Sequence, residues 1–458
     1  MSKIKKIYAY EVLDSRGNPT IKVELHTKKA FAEALVPSGA STGSKEALEL
    51  RDKNTQYENN WFGGKGVQTA CDNVNNIIQK LLVGMEVSQQ EIIDSKMLEK
   101  DGTETKSNLG ANAILAVSLA CAKAAAIEAK KPLYEYLAKL GKNGNNMYSL
   151  PVPMLNVING GEHASNTIDF QEFMIMPLGA KTFKEAMQMA NKVFHTLAKL
   201  LKKAGHGTQV GDEGGFAPNL HTHEEALDFL VKAIKEANYN PATSGENAIA
   251  ICLDAASSEL YDEKTKKYVF KKFKQALLEK REGFAKYAKN KYEFSSAELV
   301  KYYGKLIKKY PIISIEDSHH EDDWDGFIKM KEQYGKQVQL VGDDLIVTNP
   351  KYIKMAIEKN AINASLIKIN QIGSLTETIK AIKMSQNAGY IPVISHRSGE
   401  TEDTFIADLA VAFSTNEIKT GSMSRTDRIA KYNRLLKIED ELKNKGSYLG
   451  QKIFSNLK

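Results

Sequence analysis

Cysteine is scarce. The chain has three in 458 residues, Cys71, Cys121 and Cys252, and no two stand at metal-ligand spacing. That excludes a disulfide framework and a structural zinc site, and it points to a reducing, cytoplasmic setting. Long apolar runs are missing too. The most apolar stretch, 113–122, contains Ser118 and lies between Asn112 and Lys123. It falls well short of the ~20 residues that cross a bilayer. The opening segment MSKIKKIYAYE carries lysines but no apolar core of signal-peptide length. No membrane span is expected, and a cell-surface or secreted fraction would need a route without a signal peptide. No Gly-x-x-x-x-Gly-Lys-Ser/Thr loop occurs, so nucleotide hydrolysis has no support.

What is present is ordinary globular material, 42% hydrophobic and 26% charged, which excludes a largely disordered chain. The length predicts two domains. The first, 1–140, reads as a small α+β unit. Residues 21–25 alternate like a half-buried strand, 29–36 can pair with them, and Ala-rich 111–130 suits a packed helix. Residues 38–43 (SGASTG) form a flexible loop of small residues. The polar, glycine-containing stretch at 141–150 is the linker, and 151–458 is the second domain.

In that domain short apolar runs recur, each ending in a charged or polar residue and followed by a loop and a helix. The runs are 209–210, 249–253, 312–315, 339–341, 365–367, 391–394 and 417–418. After them come Glu213, Asp254, Glu316, Asp343, Lys368, His396 with Arg397, and Lys419. Repeated β-loop-α units predict parallel strands closed into a barrel, with chemistry at the strands' C-terminal ends. One acid after a strand is usually a helix cap or a solvated loop residue. Seven successive units ending this way are expected to converge on one rim. The interval from Asp254 to Glu316 is twice a normal unit and holds a lysine-rich insert, 264–293. We expect an excursion from the barrel there, with an amphipathic helix over 273–287.

Asp254, Glu316 and Asp343 at one mouth would repel unless a cation neutralised them, and oxygen-only ligands select a hard ion such as Mg2+. Lys368, Arg397 and Lys419 would receive a multiply charged anion, with Ser398 backing Arg397. Neighbouring cations would depress the Lys368 pKa and make it a general base. Glu172 and Glu213 would share a raised pKa, leaving one of them protonated. A base, an acid and a metal-held carboxylate suggest proton abstraction next to a carboxylate, through a metal-stabilised dianionic intermediate.

Ten motifs along the chain resemble the enolase family, the glycolytic phosphopyruvate hydratases, of bacterial type. They are DSRGNPT at 14, SGASTG at 38, NGGEH at 159, QEFM at 171, GDEGG at 211, SIED at 314, GDDL at 342, KINQIG at 368, SHRSGET at 395 and IKTG at 418. The resemblance implies a small N-terminal α+β domain capping an eight-stranded α/β barrel that is irregular in its first units. It also implies reversible dehydration of 2-phosphoglycerate to phosphoenolpyruvate. The superfamily pairs a Lys or His base with one or two Mg2+ ions; two Mg2+ are implied here, one of them substrate-dependent.

Carried over by position, Lys368 is the base that removes the C2 proton. Glu213, with Glu172 beside it, is the acid for the C3 hydroxyl. Asp254, Glu316 and Asp343 hold the first metal, and Ser41 holds the second. His163 closes on the site from a loop. Gln171, Arg397, Ser398 and Lys419 contact substrate, and His396 is also at the site. His195, His206, His221 and His223 lack motif support and read as surface or core residues. Asp317 and Asp344 read as supports of the ligands beside them, and Met174, Met176, Met187 and Met189 as core filler. Ser318-His319-His320 and Ser165 depart from the family pattern beside the site.

The resemblance further implies a homo-oligomer, dimer or octamer, and no requirement for nucleic acid. A racemase or sugar-acid dehydratase of the same superfamily is the competing enzyme reading. The Ser41 loop and the Arg397, Ser398 and Lys419 set argue against it, because they answer to a phosphate and a second metal. A surface role, binding plasminogen or RNA, is the alternative of another class. The insert is its candidate feature: it holds 11 Lys/Arg against 3 Asp/Glu, more than the +7 of the entire chain. The basic balance therefore belongs to one segment, whose plainer reading is a solvated lysine-rich excursion.

Overall fold

The structure is a computed structural model that describes residues 2–40, 43–59, 62–141 and 148–457. Ser41 and most of the expected linker lie outside the described residues. The N-terminal unit is an antiparallel three-stranded meander, Lys6–Leu13, Pro19–His26 and Phe31–Leu35. The first of these strands was not expected; only its alternate residues Ile7 and Ala9 are deeply buried. Helix Ala111–Glu128 packs on the sheet. It is the one described helix long and apolar enough to cross a membrane, but 83% of it is buried in the core.

The second domain is a closed eight-stranded barrel. In chain order its strands are Val152–Asn159, Glu172–Met176, Ala250–Asp254, Ile312–Glu316, Gln339–Gly342, Ala364–Ile367, Ile391–Ser395 and Glu417–Lys419. The expected α/β architecture is present, with two corrections. Glu172–Met176 runs antiparallel to both neighbours. The connection 160–171 holds only the single helical turn Gly161–His163, too short to carry a crossover, so the chain returns by the short route. Residues 209–210 are not a barrel strand: Val210 makes only an isolated bridge to Phe216 and is 42% exposed. Gln209 and Val210 are both exposed and bring no buried apolar side chain to the sheet. Residues 148–150, placed in the linker by composition, form a strand that pairs with Gly446–Tyr448.

Strand parity decides what enters the barrel. Val152, Met154, Met174, Met176, Cys252, Val341, Leu366 and Val393 form one inner cluster. Phe173, Ile175, Ile251, Leu253, Ile367 and Ile394 pack outward against the helices. Two residues beyond an inner residue the chain is inner again. Glu172, Asp254, Asp343, Lys368 and Ser395 thus lie on the inner parity at the strand ends. Met187 and Met189 sit in the outer core. All three cysteines are buried and unpaired, and burial pushes their thiols up, so none is reactive.

The insert is not a loose excursion. It forms a small sheet of Tyr261–Asp262, Lys267–Val269 and Glu293–Phe294, plus helix Lys271–Leu278. The helix is shorter than the expected 273–287, because Lys280 at φ 53° and Gly283 at φ 81° are left-handed. Tyr268, Phe270, Phe273, Phe284 and Phe294 are buried in the main core.

Candidate active site

The strand-end acids and lysines meet at the barrel mouth. Lys419 Nζ lies 2.8 Å from Asp254 Oδ2, 2.8 Å from Glu316 Oε1 and 3.1 Å from Glu172 Oε1. The Lys368 ammonium pairs with Asp343. His163 Nδ1 is 3.4 Å from Glu213 Oε1, and His396 Nε2 is 3.2 Å from the same atom. Glu172, Glu213, Lys368, Lys419, His163, His396, Arg397, Ser398 and Gln171 line one small cavity. Every expected site residue except Ser41, which is not described, therefore lies at or beside this mouth.

The electrostatics follow from burial. It drives Glu172 well above the usual carboxylate range, and the neighbouring Glu213 pushes it further. Burial also pushes Glu213 up, but the His396 and His163 imidazoles outweigh it and hold that carboxyl low. Asn156 Nδ2 donates to Glu213 Oε2 at 2.9 Å. The shared raised value expected of the pair is not what the structure gives: only Glu172 is raised and biased toward its proton, while Glu213 is held as the carboxylate by its histidine neighbours. His396 is neutral, pushed down to about 3 mainly by burial. Arg428 donates to its Nδ1 at 2.6 Å; since Arg cannot accept, Nε2 carries the proton and faces Glu213.

Lys368 differs from expectation. Burial is the largest influence and lowers it, but the carboxylates around it, Asp343 and then Glu316, together outweigh burial and the net shift is upward. The depressed value was expected from neighbouring cations; here an acid is the nearest charge.

The acids suit a hard cation. Glu316 is buried, with Oε2 lacking a hydrogen-bond partner, and Glu172 Oε2 is in the same state. Burial and then Asp254 push Glu316 up. Buried, under-satisfied carboxylate oxygens facing one another fit an all-oxygen ligand set. Lysine ammoniums neutralise that set in this structure. Two tighter groups also occur, His163 with Glu172 and Glu213, and Asp317 with Asp343 and Asp344. Both oxygens of Asp317 already accept backbone N–H groups, from Asp343 at 2.8 Å and Asp344 at 2.9 Å. Asp317 thus fixes the turn that presents Asp343, the supporting role expected of it.

Arg397 holds Glu46 of the N-terminal unit through two contacts, 2.9 and 3.1 Å. Ser398 Oγ accepts Ala40 N–H at 2.7 Å, and Ser38 and Gly399 exchange backbone hydrogen bonds at 2.7 and 2.8 Å. A Cβ on Gly399 would lie 2.4 Å from Asp14 Oδ2, so only glycine lets the 14–18 loop close down here. The two anchored edges of the SGASTG loop are therefore seated against the barrel mouth.

Several contributors were not anticipated. Glu46, Asn156 and Arg428 carry no strand-end or motif position that flags them. Beneath the rim, Ser314 Oγ donates to Gln339 Oε1 at 2.8 Å, and Gln339 Nε2 donates to Glu417 Oε1 at 2.9 Å. Burial pushes Glu417 up to about 8, so it is mainly neutral under Lys419. Its inner parity was readable; its protonation needed the surrounding atoms.

A family model described as "Enolase, C-terminal TIM barrel domain" matches residues 147–457, and one described as "Enolase, N-terminal domain" matches 4–137. A protein of Metamycoplasma arthritidis named Enolase is 79% identical over the full length of both chains. Proteins of the same name from Mycoplasmopsis pulmonis and Mesomycoplasma hyorhinis are each 64% identical, again over both full lengths.

Proposed function

The chain belongs to the enolase family, and from that premise we propose that the barrel mouth dehydrates 2-phosphoglycerate reversibly to phosphoenolpyruvate, with Lys368 as the C2 base. As a family member it is a glycolytic lyase, a phosphopyruvate hydratase. The observation that carries the residue assignment is the convergence of Lys368, the Glu172–Glu213 pair and the buried Asp254, Glu316 and Asp343 set on one cavity.

Asp254, Glu316 and Asp343 would hold Mg2+, and Ser41 would serve a second, substrate-dependent ion. Bound there, the metal supplies positive charge to the substrate carboxylate, which acidifies the neighbouring C–H. Lys368 must lose its own proton before it can take one, so its contact with Asp343 has to loosen when substrate enters. Glu213 assists loss of the C3 hydroxyl, with the proton drawn from the Glu172–Glu213 pair. His396 and Arg428 orient Glu213, and His163 closes over it. Lys419 and Gln171 hold the substrate, as do Arg397 and Ser398 once Glu46 and Ala40 yield to it.

The test is direct. The purified protein is mixed with 2-phosphoglycerate and saturating Mg2+, and the ultraviolet absorbance of the enol product is followed. No absorbance change from folded protein would sink the reading.

Cytoplasmic location and a homo-oligomer complete the proposal, on the family resemblance. A surface role for the insert, toward plasminogen or RNA, is supported only by its concentrated lysines. Deleting 264–293 cannot test it, because the buried aromatics would leave with the lysines. Replacing exposed Lys264, Lys267, Lys280 and Lys286 by Gln spares the buried aromatics and halves the insert's net charge. Unchanged plasminogen and RNA binding would end that reading.

A further inference from the structure

A cavity of about 590 Å³ lies between the insert, the helix Ser296–Lys309 and the segments 167–169 and 221–224. That size suits a small organic ligand, and the cavity is separate from the catalytic mouth. Its floor is aromatic: Phe270, Phe273, Phe294 and Tyr302 line it. Phe270 packs edge-on to Tyr302 at 5.4 Å and to His223 at 4.7 Å. His223 is fixed as a neutral ring. Its Nε2 accepts Phe170 N–H at 3.2 Å, so the proton sits on Nδ1, 3.0 Å from the Tyr302 hydroxyl.

The rim is basic. Lys289, Lys301 and Lys305 are exposed and make no ion pair with any described residue, whereas Lys291 is paired with Glu298. Asp169, the buried acid on the wall, is already committed: it accepts Lys272 N–H at 2.8 Å and Phe273 N–H at 3.1 Å. Glu224 also lines the cavity, its side chain beside the Tyr302 hydroxyl. An aromatic floor beneath three ammoniums that make no ion pair with a described residue matches a flat ring that carries a phosphate.

The same wall reaches the catalytic mouth. The Lys272 ammonium leaves the insert and donates to the carbonyls of Gly161 and Ala164, which flank His163. Asp169 lies two residues before Gln171. A ligand pressed against 270–273 and 167–169 therefore bears on both anchors of the His163 turn.

We propose that this cavity binds a nucleoside monophosphate and that its occupancy changes how the His163 turn closes. The binding does not depend on the reaction proposed above; only the coupling does. The full-length protein, with Mg2+ and saturating 2-phosphoglycerate to block the catalytic mouth, is titrated calorimetrically with AMP, adenosine and inorganic phosphate separately. AMP is expected to bind at least about tenfold more tightly than either fragment. The double variant Lys301→Glu/Lys305→Glu should weaken AMP about tenfold or more and leave basal turnover unchanged. Lys289→Glu, on the opposite wall, is an independent second variant. AMP binding no tighter than adenosine or phosphate, or unaffected by both variants, overturns the site. For the coupling, AMP should shift the KM for 2-phosphoglycerate in the wild type and not in Lys272→Met. An identical shift in both, or none in the wild type while AMP binds, overturns the coupling alone.

Discussion

Asp317 grips Asp343 from behind: its Oδ1 accepts the Asp343 backbone N–H at 2.8 Å while Oδ2 takes that of Asp344. Asp317 itself sits at φ 42°, a left-handed conformation that costs a non-glycine residue about 1–3 kcal/mol. The strain is tolerated because two N–H groups next to a candidate metal ligand are satisfied at once. Asp317→Asn keeps the shape but replaces one acceptor with a donor. Mg2+ affinity should fall about 10- to 100-fold, with kcat at saturating Mg2+ much less affected. Titration of activity against Mg2+ reads it; unaltered affinity would mean that the turn holds without Asp317.

Lys368→Ala should lower kcat by about 10³-fold or more, the scale of a lost general base. Metal binding, followed as a Mg2+-dependent rise in Tm, should persist, because the acids remain. Near-normal turnover in this variant would reassign the base.

Removal of divalent metal by chelator should abolish turnover reversibly and lower Tm, since an ion held only by the folded arrangement of these acids stabilises that fold. Glu316→Gln should flatten the Mg2+ dependence of Tm. If chelation leaves both rate and Tm unmoved, these acids are not the metal site.

Glu46 occupies the Arg397 guanidinium that a substrate phosphate would need. Glu46→Gln weakens that competitor, so the KM for 2-phosphoglycerate should fall, about two- to tenfold. A rise in KM would show instead that Glu46 orients the arginine for substrate.

His319 is packed against Tyr268 and Phe327, and burial pushes it down to about 4. The unfolded chain therefore takes up this proton at a higher pH than the folded one. Stability should fall as pH drops from about 6.5 toward 4, by on the order of 3 kcal/mol from this group. Denaturant titrations from pH 7 to 4 measure it, and His319→Gln should flatten the slope over that window.

Much of this site is legible in the sequence because barrel strands end on a fixed parity. An apolar run followed by Asp254, Glu316 or Lys368 already says which way the side chain faces. The strands 152–159 and 172–176 were harder, since they are buried on both faces and lack the β-loop-α spacing that marks the later units. Glu46 and Arg428 were invisible for another reason. Each acts through a partner remote in the chain, and nothing local distinguishes it from a solvated charge. The lysine-rich insert shows the opposite error: its composition advertises surface, while its interleaved aromatics are what the fold uses.

The Arg397–Glu46 pair spans 351 residues. At ribosomal rates its two halves emerge about 20 to 70 s apart. The N-terminal unit is therefore made long before the barrel that completes its loops exists. Throughout that interval a nascent chain carries the cap's sequence without the mouth it covers. No turnover is available until the last strand, carrying Lys419, has left the tunnel. The catalyst is thus switched on late and all at once, by the closing of its own barrel.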